Sequence, residues 1–138
     1  QNGRCIATCD TVVVCRTDNQ AKPLRAEMVA ELRSMIHEDD VLIEKVRMSG
    51  FYGTHLDQVL RTQGINTLYL AGVNVDQCVT TTMEDAYFRD YNNVLLTDAC
   101  ATSSPDYCRQ AVEFNAKNCW GFTTTTENFA NPRPHRKG

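Results

Sequence analysis

An excess of charge is the first thing this sequence does not have. Its 14 Lys and Arg against 17 Asp and Glu leave a net charge of -3 and a pI of about 5.6. No basic face follows from that balance, which argues against nucleic acid and against an anionic membrane surface as partners. Long apolar runs are missing too. No stretch reaches the roughly 20 apolar residues of a bilayer-spanning helix, and the N-terminus carries no signal-peptide pattern. Cys-x-x-Cys is absent. The seven cysteines (Cys5, Cys9, Cys15, Cys78, Cys100, Cys108 and Cys119) are odd in number and scattered, unlike a secreted disulfide framework. The reducing cytosol is the simplest compartment for them. Cys5 and Cys9 have no His or second Cys pair beside them at zinc-finger spacing, so no structural zinc site is expected. Internal repeats and low-complexity tracts are also absent. What remains is 138 residues, 42% hydrophobic and 22% charged, the composition of one globular domain. That domain is expected over 1–130, with a polar, basic tail over 131–138. A chain that begins at Gln1 rather than Met reads as processed or as a fragment.

Periodicity divides the chain into alternating elements. Thr11–Cys15 is a short β-branched run suited to a buried parallel strand. Arg25–His37 sets Met28, Leu32, Met35 and Ile36 on one helical face. Val41–Ile43 is a second strand. After the turn-rich Ser49–Gly53 loop, Thr54 caps a helix running through Arg61, with Gly64 at its stop. Thr67–Ala71 is a third strand, Cys78–Tyr91 a helix and Asn93–Thr97 a fourth strand. A helix starting at Ser104-Pro105 and a last strand over Cys119–Thr123 complete the pattern. Strand and helix alternate from Val41 to Thr123, which calls for a three-layer, Rossmann-like α/β fold: a parallel sheet with helices on both faces. Ligands in such sheets lie beyond the carboxyl ends of the strands.

One turn at such an end stands out: Gly72-Val73-Asn74-Val75-Asp76-Gln77-Cys78-Val79, between the Thr67 strand and the following helix. A thiol at a helix start sits among unpaired N–H groups and the positive end of the helix dipole. Both favour the reactive thiolate, so Cys78 is a candidate nucleophile. The competing reading is a buried structural cysteine. Lys45 falls on the same edge after the Val41 strand, where it reads either as a functional base or as an ordinary exposed lysine.

The stretch Lys45-Val-Arg-Met-Ser-Gly-Phe-Tyr-Gly-Thr54, followed by Leu56, resembles the isochorismatase-like cysteine hydrolases. The Gly72–Val79 turn, Thr82, Asp85-Ala86, Tyr91 and Leu96-Thr97-Asp98-Ala99 extend the likeness over Glu27–Thr125. The Ser49-Gly50-Phe51 and Thr54-x-Leu56 pattern is similar to the ureidoacrylate, biuret and N-carbamoylsarcosine branch. The resemblance implies Cys78 as nucleophile, Lys45 as the basic residue beside it and a catalytic Asp after the first strand. It also implies a cis peptide at Val73–Asn74 and an oxyanion hole from the N–H groups of Asn74 and Cys78. Phe51 and Tyr52 would line the substrate pocket, or anchor the loop in the core. The implied reaction is C–N hydrolysis of a small linear amide or ureide through a thioester, without a cofactor, in a homo-oligomer. Two alternatives stand beside it: a catalytically impaired assembly or ligand-binding subunit, and an isochorismatase-type ether hydrolase. The Asp and two His of metal-binding relatives have no counterpart cluster, since His37 and His55 are separated.

The N-terminus departs from the resemblance, because only one strand, not two, precedes the Lys45 strand. Either Asp18-Asn19-Gln20 stands in for the family's Asp-x-Gln, making Asp18 the catalytic acid–base, or Thr11–Arg16 is the family's second strand. In the second case the first strand and its Asp lie outside this chain. An open central edge would then require completion by another chain, by further residues or by an unusual rearrangement.

Overall fold

The computed structural model describes the backbone of residues 12–16, positions 34 and 38, and residues 40–131. Two parallel ladders form in it. In the first, β1 (Val12–Arg16) pairs with β2 (Val41–Lys45), Val12 opposite Val41 and Arg16 opposite Lys45. The second runs in the order β3 (Thr67–Val73), β4 (Asn92–Ala101), β5 (Phe122–Thr124). Its strands are parallel throughout. No ladder joins β2 to β3 among the described residues.

Parallel neighbours need crossover connections, and helices supply them. The β3–β4 crossover is a π-helical turn over Val75–Val79 that runs directly into α2 (Thr80–Tyr87). The β4–β5 crossover is α3 (Asp106–Asn115), extended by a second π-helical turn over Ala116–Trp120. Both crossovers step in the same direction along the sheet, so right-handed connections place α2 and α3 on one face. There Leu70, Val79, Met83, Leu95, Val112 and Ala116 share one buried cluster. Helix α1 (Leu56–Thr62) belongs to a second cluster, in which Leu56 and Leu60 meet Ile43 of β2 and Ala86 of α2. That shared cluster holds the two ladders over a common helical layer. On β3, Tyr69 alternates with buried Leu70 and so points to the opposite face. It stacks there on Phe129 of α4 (Thr126–Ala130), ring centroids 4.6 Å apart. The fold is therefore a parallel α/β sheet with helices on both faces. No helix among the described residues is long and apolar enough to cross a membrane.

Several element boundaries differ from the sequence reading, each for a local reason. Cys78 does not open an α-helix: the Asn74 carbonyl accepts the N–H groups of both Gln77 (3.1 Å) and Val79 (3.3 Å), widening this turn to π geometry. Strand β4 continues through Thr97 and Asp98 to Ala101, so Cys100 lies within the strand, buried opposite Gly72, rather than beyond its end. Cys119 and Trp120 belong to the second π turn, and β5 begins only at Phe122. Pro105 precedes α3 as its N-cap with ψ 150° instead of occupying the first turn. Thr54 does not flank α1 directly. His55 holds that place, while the Thr54 hydroxyl donates to the Gly50 carbonyl and accepts from the Leu56 N–H. The short α4 has no counterpart in the periodicity. It is fixed from a distance by the Asp98 carboxylate, which accepts from the N–H and hydroxyl of Thr126. Those bonds hold the Asp98 carboxyl below its ordinary range.

Asn93 ties the layers together. Its side chain is fully buried, and its Nδ2 donates to the carbonyls of Met83 (3.0 Å) and Trp120 (3.2 Å). Tyr91 does similar work in the second cluster. Its hydroxyl donates to the Asp57 carboxylate at 2.8 Å, and the Arg61 guanidinium lies 4.3 Å from its ring centre. Burial first, and then the Asp57 hydrogen bond and charge, push the phenol up to about 12 from 10.0. The fold favours neutral Tyr91. Its stabilising contribution is therefore complete below the ordinary value and is lost as pH rises through about 12. Tyr91→Phe is expected to cost about 1 kcal/mol at neutral pH, the worth of one such hydrogen bond. Between pH 10 and 12 its melting temperature should fall less than the parent's, as followed by circular dichroism.

Candidate active site

The carboxyl ends of β2 and β3 carry the chemically distinctive side chains. At the end of β3 the register slips between Leu70 and Gly72, the strand opens, and the chain turns through a cis Val73–Asn74 peptide. Cys78 follows in the π-helical turn, half-buried and reduced. Its neighbours Val75 and Val79 are buried in the core, which anchors the turn from beneath. Asn74 is extended, with φ -88° and ψ 139°, and its side-chain amide lies 3.4 Å from the Gln77 side-chain oxygen.

The same turn is clamped from the side by Asp76. Its carboxylate accepts from the Thr102 hydroxyl, and the Ser104 N–H caps that hydroxyl at 3.1 Å. Burial raises the Asp76 carboxyl, but hydrogen bonds from Thr102, Ser104 and its own N–H outweigh this and leave it below its ordinary value. Asp76 is thus an anchored anion joining the Cys78 turn to the β4–α3 loop. Its place within the motif was visible in the sequence, but the partner is 26 residues away and was not.

Lys45 closes β2. Its side chain is 4% exposed and its ammonium donates to the Arg47 carbonyl at 3.0 Å. A lysine buried to that degree is not an ordinary surface residue. The segment after it, Ser49–Thr54, returns to the helical layer. Ser49 donates to the Asp85 carboxylate and accepts from the Phe51 N–H, and the Gly50 N–H donates to the Thr82 hydroxyl. Phe51 is 5% exposed and lies in the core with Ile43 and Tyr91, 5.0 Å beneath the Arg89 guanidinium. Tyr52, the next residue, is 60% exposed. The structure thus sets the two aromatics in opposite environments. The loop after Lys45 is linked to the Cys78 turn through Thr82, whose hydroxyl accepts from the Gly50 N–H and donates to the Cys78 carbonyl. Asp18 lies outside the described residues, as does His37. Among the described residues, no group of three His, Cys, Asp or Glu is placed to hold a metal ion.

Comparison with known proteins bears on the family and the fold. A model of the isochorismatase domain matches residues 11–128. Ureidoacrylate amidohydrolase RutB of Acinetobacter baylyi is 36% identical over 111 residues, which are 80% of this chain and 44% of that protein. The protein of the same description from Yersinia enterocolitica is 37% identical over 92 residues, 67% of this chain and 40% of its own. The chain spans less than half the length of these curated relatives. Among solved structures, an isochorismatase-like hydrolase from Alkaliphilus metalliredigens is similar over 69% of this chain and 51% of its own, with TM-score 0.64 and 29% identity. The nicotinamidase of Staphylococcus aureus shares the fold over 83% of this chain and 75% of its own, with TM-score 0.70 and 24% identity. A strand-end cysteine turn, a buried strand-end lysine and a family match over most of the sequence lead to one assignment: the chain belongs to the isochorismatase family.

Proposed function

We propose that this chain carries the nucleophile of a cysteine amidohydrolase acting on a small linear amide or ureide. The observation that supports this most is the Cys78 turn, a half-exposed thiol at the carboxyl end of a parallel strand, in a chain whose relatives include ureidoacrylate amidohydrolases. The thiolate of Cys78 attacks the carbonyl carbon, and the negative oxygen of the tetrahedral intermediate is met by the N–H groups of Asn74 and Cys78. The C–N bond then breaks, the leaving amine takes a proton, and a thioester remains on Cys78. Water hydrolyses the thioester and restores the thiol. Lys45 supplies positive charge to the anionic states of this sequence. Asp18 is assigned the proton transfer, accepting from the thiol and giving to the amine. Tyr52 forms part of the substrate rim, while Phe51 supports the loop from the core. Protomers pair, and the site needs no cofactor.

A panel of ureides and amides, starting with ureidoacrylate, tests the reading. The parent protein should hydrolyse at least one. Asp18→Ala should lower its turnover about a hundredfold or more, the usual contribution of a positioned acid–base group. Unchanged turnover in Asp18→Ala would remove Asp18 from the mechanism and leave the nucleophile assignment standing.

A further inference from the structure

Cys78, Thr82 and Asp85 follow one another at intervals of four and three residues, so they form a polar stripe along the π turn and α2, and Arg89, just past the helix end, bonds back to the Asp85 carbonyl. The dipeptide Ser49-Gly50 lies along that stripe. Ser49 bonds to Asp85, and the Gly50 N–H reaches the Thr82 hydroxyl at 2.9 Å. That same hydroxyl donates to the Cys78 carbonyl at 2.7 Å. A threonine hydroxyl has one proton, and here it goes to Cys78, so the Gly50 N–H must meet an oxygen lone pair. The two bonds therefore run in one direction and strengthen each other. The contact is close: a methyl group on Gly50 would lie 3.3 Å from both Thr82 Cγ2 and Leu56 Cδ2. At the other end, the Lys45 ammonium is bound to the Arg47 carbonyl of its own loop. Whatever moves that loop moves the ammonium with it.

We propose that Thr82 is a positioning residue, whose hydroxyl sets the Lys45 loop against the Cys78 turn, with Asp85 as the second anchor. Thr82 touches no reacting atom. It acts through the loop on one side and the Cys78 backbone on the other, so its effect appears at the thiol. This rests on the reading of Cys78 as the nucleophile.

The test uses Thr82→Val, which keeps the shape and removes both bonds, Thr82→Ser, which keeps the hydroxyl, and Asp85→Asn. For each, iodoacetamide labelling of Cys78 is measured by peptide mapping from pH 6 to 9, with Cys108 and Cys119 in the same sample as references. Backbone hydrogen exchange is read over residues 49–54. Thr82→Val should slow Cys78 labelling about tenfold at neutral pH, move its pH–rate profile upward and expose residues 49–54 to exchange. Thr82→Ser should stay within about twofold of the parent. If Thr82→Val does not fold, Asp85→Asn carries the comparison and should move the profile in the same direction. A folded Thr82→Val or Asp85→Asn with the parent's profile overturns the proposal and leaves the nucleophile reading intact. If Cys78 of the parent labels no faster than the two reference cysteines, the nucleophile reading itself fails, and this proposal with it.

Discussion

Replacing Cys78 with alanine should abolish hydrolysis, lowering kcat/KM by roughly 10⁴-fold or more while leaving the melting temperature within a few degrees. The two expectations have separate physical sources. In the proposed mechanism the thiol forms and breaks the bonds to the substrate carbonyl, so its removal eliminates the covalent route. The side chain is only half-buried, and the turn is held by Val75 and Val79 beneath it and by the Asp76 carboxylate at its side. Alanine therefore opens little core volume. Cys78→Ser should retain the fold and a trace of turnover, because an alcohol at this position is a poorer nucleophile than a thiolate. Steady-state kinetics with the best substrate of the panel, together with a thermal melt, checks both halves. Turnover that survives in Cys78→Ala would place the chemistry elsewhere.

The second large effect is on stability. Gly121→Ala should cost about 3–5 kcal/mol, combining backbone strain with a forced contact. Gly121 enters β5 with φ 155° and ψ -123°, a conformation that side chains with a Cβ rarely adopt. A methyl group there would stand 2.2 Å from the Asn93 carbonyl oxygen and 3.1 Å from the Asn93 Cβ. Nothing in that contact is a flexible side-chain end: the obstacle is the backbone of β4, beside a fully buried Asn93 that itself bonds to the Trp120 carbonyl. Relief would require β5 to shift along the sheet. Chemical denaturation should show the midpoint falling by the corresponding amount with little change in slope. A loss below about 1 kcal/mol would mean that β5 does not pack on β4 as described.

The sheet pattern was legible because parallel strands and their crossover helices leave strong, well-separated signals. Val41–Ile43, Thr67–Ala71 and Asn93–Thr97 are apolar runs of strand length, and each observed strand contains its predicted run. What periodicity could not supply was anything decided by a partner far along the chain. Helix α4 is five residues long and is started by Asp98, 28 residues before Thr126. The π geometry around Cys78 depends on one carbonyl taking two N–H groups, which leaves no trace in residue types. The extension of β4 to Ala101 runs through Thr97 and Asp98, whose polarity reads as a strand end. At the site, Cys78 and Lys45 were visible as residue types at strand ends. The contacts of Ser49, Asp76, Thr82 and Asp85 emerge only from pairings 26 to 36 residues apart. Phe51 and Tyr52 show the same limit: adjacent aromatics look alike in sequence, yet one is in the core and the other is open to solvent.

The most direct test of the central claim is to look for the covalent intermediate. The protein is mixed with an excess of ureidoacrylate, quenched in acid before one turnover is complete, digested and mapped by mass spectrometry. A carbamoyl group should appear on the peptide containing Cys78 together with the first equivalent of released amine, and should be absent from Cys78→Ala. Product formation with an unmodified Cys78 at every quench time, or the carbamoyl group on another residue, would contradict the claim.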